Sequence, residues 1–189
     1  MAVAAWLAQQ ATLEPGQLVF LDETGTSLSM VPRYGWAPKG ERACGTVPTG
    51  HRRHHTLISS LTLAGMGPSL LLEGSVDRTV FDTFLTDLLL PTLTAGQTVI
   101  LDNASIHKGT RTRVVLEAAG IQLCFLPTAS PEFNPIEHAF AKLKQHLRRD
   151  QPRDPDTLEA AIKAGQNAIT ASDAHGFFRG AGYQNVSHL

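Results

Sequence analysis

The sequence predicts an α/β fold: one mixed sheet, three antiparallel strands and then two parallel ones, flanked by helices. Three observations predict it. Residues 17–72 hold three strand-like apolar segments, the last two joined by a short Gly-rich link. From residue 78 the apolar spacing becomes helical, and short buried strands then alternate with helices, which calls for parallel crossovers. The chain has 189 residues, 42% of them hydrophobic, enough for one buried core, and no repeat or composition shift marks a second boundary.

The elements follow in order. Residues 1–13 form a short helix broken at Glu14-Pro15-Gly16. Residues 17–22 (QLVFLD) form a strand that ends on an acid. Residues 23–55, rich in Gly, Pro, Thr and Arg, form an irregular or hairpin segment. Strands over 56–63 and 69–72 join through Ala64-Gly65-Met66-Gly67. Residues 78–90 place Val80, Phe81, Phe84, Leu85, Leu88 and Leu89 at helical spacing. TVIL at 98–101 is a buried strand closed by Asp102, 109–119 a helix stopped by Gly120, and 121–126 another buried strand. A Pro-containing loop over 127–133 leads to a strong helix over 134–149 and a second over 155–170. The tail from 172 carries too little periodicity to assign.

Composition excludes more than it identifies. No apolar run approaches the roughly 18–20 residues of a membrane span, and the first residues lack the basic and apolar regions of a signal peptide. Cys44 and Cys124 lie far apart without paired-ligand spacing, so a disulfide framework or zinc ribbon is not expected and a reducing cytoplasm fits. Sixteen Lys and Arg against seventeen Asp and Glu give a net charge of −1, whereas a free-standing DNA binder is usually basic. The positive charge is clustered, however. One cluster is Arg33, Lys39, Arg42, His51, Arg52, Arg53, His54 and His55; the other is Lys142, Lys144, His146, Arg148, Arg149 and Arg153. His51, His54 and His55 lack a matching second pair of metal ligands.

Three acids stand out by position. Asp22 and Asp102 close the first and fourth strands, and Glu137 sits in the first turn of the strongest helix. Parallel pairing of those strands sets the two Asp side by side at the sheet edge where such folds place ligands. Three gathered carboxylates repel one another unless a cation compensates, and Mg²⁺ (or Mn²⁺) takes hard oxygen ligands. Two ions roughly 3.5–4 Å apart suit an in-line phosphoryl displacement. A second reading stands beside this one: both Asp as strand-end turn residues, and Asn134-Pro135-Ile136-Glu137 as a capping box that starts a helix.

The motifs around these acids, LVFLDETGTS at 18–27, VILDNASIHKG at 99–109 and FLPTASPEFNPIEHAFAKLK at 125–144, resemble the DDE transposases of the mariner-like superfamily, in its bacterial insertion-sequence branch. The 34 residues between Asp102 and Glu137 match that superfamily's interval, and RYGWAPKGER at 33–42 and FFRGAGY at 177–183 look like the same branch. The resemblance implies an RNase H-like fold over 17–189 and a metal-binding catalytic triad of Asp22, Asp102 and Glu137. Glu23 and Glu132 are the neighbouring acids set aside. It implies metal-dependent cleavage and strand transfer at transposon ends on double-stranded DNA, by a dimer on that DNA, in a bacterial cytoplasm and nucleoid.

Arg33, Lys39, Asn103, His107 and Lys108 are the candidate DNA contacts; Asn103 also stands where it would orient Asp102. Relatives carry helix-turn-helix modules ahead of the catalytic domain. The short lead-in of residues 1–16 is too small for one, so end recognition is expected from a part outside these residues, such as a separate helix-turn-helix polypeptide. Two alternatives remain. One is a catalytically silent or partner-dependent transposase-derived fragment. The other is a phosphotransfer enzyme of haloacid-dehalogenase type, against which Thr24 stands where a second Asp is wanted.

Overall fold

In the computed structural model, which describes residues 2–48 and 54–183, strand β1 (Leu18–Ser27) runs through the middle of a five-stranded sheet. Its apolar run is continuous because both faces are covered. Leu18 and Phe20 face one core and Val19 and Leu21 the other, all four at most 1% exposed.

β2 (His54–Thr62) and β3 (Gly65–Glu73) extend the sheet antiparallel from one side of β1. β4 (Thr98–Leu101) and β5 (Gln122–Phe125) extend it in parallel from the other, giving the order β3-β2-β1-β4-β5. Three antiparallel and two parallel strands is the arrangement the sequence predicts.

The helices divide between the faces. α1 (Val3–Gln10), α4 (Pro135–Asp150), α5 (Pro155–Asn167) and α6 (Ala171–Gly180) lie on the Phe20 side. α2 (Arg78–Thr83) and α3 (Thr110–Ala118) lie on the Val19 side. α4 buries Ile136, Ala139, Phe140, Leu143 and Leu147, one stripe at helical spacing. α5 lies close against it at Gly165, where an added Cβ would stand 2.5 Å from Leu143 Cδ1.

Three expectations are corrected. β1 does not end at Asp22: it continues to Ser27, paired with β2 as far as Ser27↔His54. Its second half buries Asp22, Thr24 and Thr26 on one face, an alternation among polar residues that hydrophobicity cannot reveal. β3 starts at Gly65 rather than residue 69, and Pro68, which has no N–H to pair, falls where the β2–β3 register shifts.

The helix expected over 78–90 keeps its α form only to Thr83. It widens into a π-helical stretch (Phe84–Leu89) that sets Phe84, Leu85 and Leu89 on the sheet, and Leu90–Thr92 closes it as a 3₁₀ turn around Pro91. Ahead of β1, Trp6 of α1 is fully buried in the main core and Gln10 Nε2 donates to Ala181 O at 2.8 Å. The unassigned tail contains α6, whose Phe178, with Ala181 and Tyr183 beyond it, completes that core.

Candidate active site

The register of β1 on β4 runs Leu18↔Thr98 to Phe20↔Ile100. Carried two residues further it sets Asp22 level with Asp102, just beyond the end of β4. Side chains alternate along a strand, so Asp22 points to the α4 side, as Phe20 does. α4 begins there, and Glu137 lies in its first turn. Asp22, Asp102 and Glu137 line one cleft of about 460 Å³, whose other walls include Asn103, Thr128, Ser130 and Asn134. Glu132, at the exposed turn before α4, is not among its lining residues.

Asp22 is 8% exposed. Its Oδ1 accepts from the Glu23 N–H at 2.7 Å, and its Oδ2 from Asn134 Nδ2 at 2.7 Å. Burial pushes its carboxyl up to about 7; the bond from Glu23 N–H opposes this, and the charges of Glu23, Asp102 and Glu137 add to it. Asp22 therefore senses both of the other acids. Among the described residues, however, no three His, Cys, Asp or Glu side chains stand close enough to hold a metal ion in this conformation. The acids line the cleft without forming a finished cage.

Asp102 is engaged elsewhere. Its Oδ1 accepts from Ala104 N–H at 3.0 Å and lies 2.6 Å from His107 Nδ1, a contact off the N–H axis and so ionic rather than a directed hydrogen bond. The other ring nitrogen, Nε2, lies 3.1 Å from Glu23 Oε1, and the ring packs on Phe81 with centroids 4.4 Å apart. Burial alone would lower the His107 pKa, but its two carboxylate partners outweigh burial and lift it to about 9. His107 in turn holds the Asp102 carboxyl below its usual range.

Of the candidate DNA contacts, Arg33, Lys39 and Lys108 are exposed. His107 is 1% exposed, and both its ring nitrogens face carboxylates. Asn103 turns its amide to Thr128 Oγ1 at 2.8 Å rather than to Asp102.

In the second basic cluster, Lys142 pairs with Asp173 at 2.6 Å and Arg149 with Asp150 at 2.9 Å. Arg153 donates to the backbone oxygens of Leu28 and Met30. In the first cluster, His51, Arg52 and Arg53 lie outside the described residues, and with them the three-histidine question; His54 is exposed and His55 buried. Cys44 and Cys124 are free thiols, and among the described residues no helix is long and apolar enough to cross a membrane.

The capping-box reading of Glu137 does not hold. Asn134 is the N-cap residue of α4, but its side chain makes no cap bond. Sequence reasoning gave Asn134 only that cap role and set Glu23 aside, although Glu23 is tied to Asp102 through His107. No local sequence signal marks either contact, because each joins residues more than eighty positions apart.

The family model of the DDE superfamily endonucleases matches residues 17–159. None of the curated proteins matches the chain in sequence. Among solved structures, the pre-cleavage Mos1 transpososome superposes with a TM-score of 0.75 at 16% identity, covering 94% of this chain and 56% of that one. The mariner Mos1 paired-end complex with Mg gives 0.71 at 16% identity, covering 94% and 57%. The catalytic domain of Mos1 mariner transposase gives 0.66 at 15% identity, covering 94% and 82%. At these identities the likeness is one of fold, that of an RNase H-like transposase catalytic domain. The chain spans little more than half the length of the Mos1 chains in the DNA complexes.

Proposed function

The chain belongs to the DDE superfamily of endonucleases, and from that premise we propose that it is a transposase catalytic domain that cuts DNA at transposon ends and joins the strands. The observation that carries the proposal is the cleft itself: Asp22, Asp102 and Glu137, from two strands and a helix, line one opening at the sheet edge. The motifs at 33–42 and 177–183 support placement in the bacterial insertion-sequence branch.

The residues fit a hard divalent cation in kind. All three acids offer carboxylate oxygens, and the buried Asn134 Oδ1 beside Asp22 has no partner of its own. Asp22, Asp102 and Glu137 would hold Mg²⁺ or Mn²⁺, as two ions. Bound there, the cations supply a lowered pKa for the attacking water or 3′-hydroxyl and charge stabilisation for the leaving oxygen. The chain's own part is to hold the acids. Buried in β1, Asp22 is fixed by two donors. Asp102 has one oxygen committed to Ala104 N–H and His107, which leaves Oδ2 for the cleft. Glu137 is exposed on the first turn of α4, facing the route by which DNA arrives.

DNA would run along the exposed Arg33 and Lys39 and past Lys108, with Asn103 at the wall. Arg33 and Arg148 each lie near enough to Lys144 to act on its charge, as Glu137 does, so a basic strip leads to the third acid. The catalytic domain is residues 17–189, with α1 packed onto it through Trp6. It acts as a dimer on paired ends, with end recognition supplied by a helix-turn-helix part.

A nicking assay on supercoiled DNA tests the proposal. Activity is expected with Mn²⁺ or Mg²⁺, absent with EDTA, and lost in Asp22→Asn, Asp102→Asn and Glu137→Gln. Undiminished nicking by purified Asp102→Asn protein would remove the assignment.

A further inference from the structure

We propose that Asn134 is a positioning residue of the site, tying the start of α4, and with it Glu137, to Asp22. The inference rests on the metal-dependent reading above and deepens it. The other helices with a polar N-cap residue and a cap bond set the standard: Asp77, Asp154 and Thr170 each accept a backbone N–H from the first turn of α2, α5 and α6. Asn134 holds the same place on α4 and belongs to the residue types that cap best, yet its side chain makes no cap bond.

Its carboxamide is turned into the molecule instead. Nδ2 donates to Asp22 Oδ2 at 2.7 Å across 112 positions of sequence, and Oδ1 is buried without a partner. The residue is 4% exposed. Forgoing a cap and burying an unpaired amide oxygen both cost stability, and a local rule broken at such cost marks a functional position.

The geometry shows what is gained. The backbone oxygen of Asn134 accepts the N–H of Glu137 at 3.2 Å, so Asn134 holds Asp22 with its side chain and the turn bearing Glu137 with its backbone. From behind, Tyr183 Oη donates to Phe133 O at 2.9 Å and fixes the preceding residue. The first and third acids, far apart in sequence, are thus joined through one residue. Supporting bonds of this kind fix the orientation of metal-binding carboxylates, and their loss costs roughly 10–100-fold in metal affinity.

The test is Asn134→Ser, because serine caps a helix as well as asparagine but has no amide to reach Asp22. Metal-free thermal unfolding and Mn²⁺ titration calorimetry are run on wild type, Asn134→Ser and Asp102→Asn. The expected result is a metal-free melting temperature equal to or above wild type, with Mn²⁺ affinity weaker by about tenfold or more. Wild-type Mn²⁺ affinity in Asn134→Ser overturns the inference and leaves the triad standing. Mn²⁺ binding by wild type that Asp102→Asn does not diminish overturns the underlying reading instead. Should the serine variant fail to fold, Asn134→Ala is read by the same two measurements: weakened Mn²⁺ binding supports the inference and unchanged binding overturns it.

Discussion

Replacing Asp22 by Asn should make the metal-free protein more stable, by an amount that grows with pH. The Asp22 carboxyl moves from 3.8 to about 7 on folding. Between those values the native state binds more protons than the unfolded chain, so stability falls as pH rises through the window. At ~1.4 kcal/mol per pKa unit, Asp22 costs about 4 kcal/mol at pH 8, where it is ionised in the native state, and under about 2 kcal/mol at pH 5, where folding makes it take up a proton. Asparagine keeps one oxygen for the Glu23 N–H, its NH2 can donate to the Asn134 amide oxygen once that amide turns over, and it carries no charge. The advantage of Asp22→Asn over wild type should therefore widen by about 2–3 kcal/mol from pH 5 to pH 8, or roughly 4–12 °C in melting temperature for a chain of this size. The assay is thermal or urea unfolding in EDTA at several pH values. Adding Mn²⁺ should stabilise wild type and leave the variant unmoved, since a ligand of the native state raises its stability by mass action. An advantage that stays constant across pH would refute the reasoning, because it would mean that burial does not penalise this charge.

Other expectations follow from the same structure. Gly165→Ala drives a Cβ to 2.5 Å from Leu143 Cδ1, on a side chain only 1% exposed, and should cost about 1–3 kcal/mol in urea unfolding. Asp173, held down to about 2 by Lys142 and by the Thr170 N–H, stabilises the fold above its ordinary 3.8 and loses that contribution as pH falls through about 2. Asp173→Asn should therefore be less stable than wild type at pH 7, by under ~1 kcal/mol for so exposed a pair, and the gap should close between pH 4 and pH 2. Arg33→Ala and Lys39→Ala should each weaken DNA binding in a gel-shift or anisotropy titration. Each should also reduce the salt dependence of log K by about one phosphate contact.

Sequence and structure agree where physics is local. TVIL at 98–101 becomes β4 with the predicted bounds, because four apolar residues buried on both faces leave nothing to mistake. The order of three antiparallel and two parallel strands was legible from link lengths and the change of period. The second half of β1 was not, since its Thr and Asp residues hide an alternation that only β2 makes visible. α6 escaped for a related reason. Its Ala, Gly, Ser and His residues blur the stripe, and only the core shows that Ala174 and Phe178 point inward.

At the site, the three acids were legible from position and motif. The groups that hold them were not, because Asn134 reaches Asp22 and His107 reaches Glu23 across the fold. Position alone gave Asn134 to the helix and His107 to DNA, and neither position foretold the contacts with Asp22 and Glu23.

The central claim is that Asp22, Asp102 and Glu137 close on divalent cations. Anomalous diffraction from crystals soaked in Mn²⁺ tests it most directly. Mn²⁺ peaks within bonding distance of carboxylate oxygens of Asp22 and Asp102, with Glu137 turned toward them, are the result predicted. A cleft that stays free of Mn²⁺ at saturating concentration, with Asp102 still on His107, would contradict it.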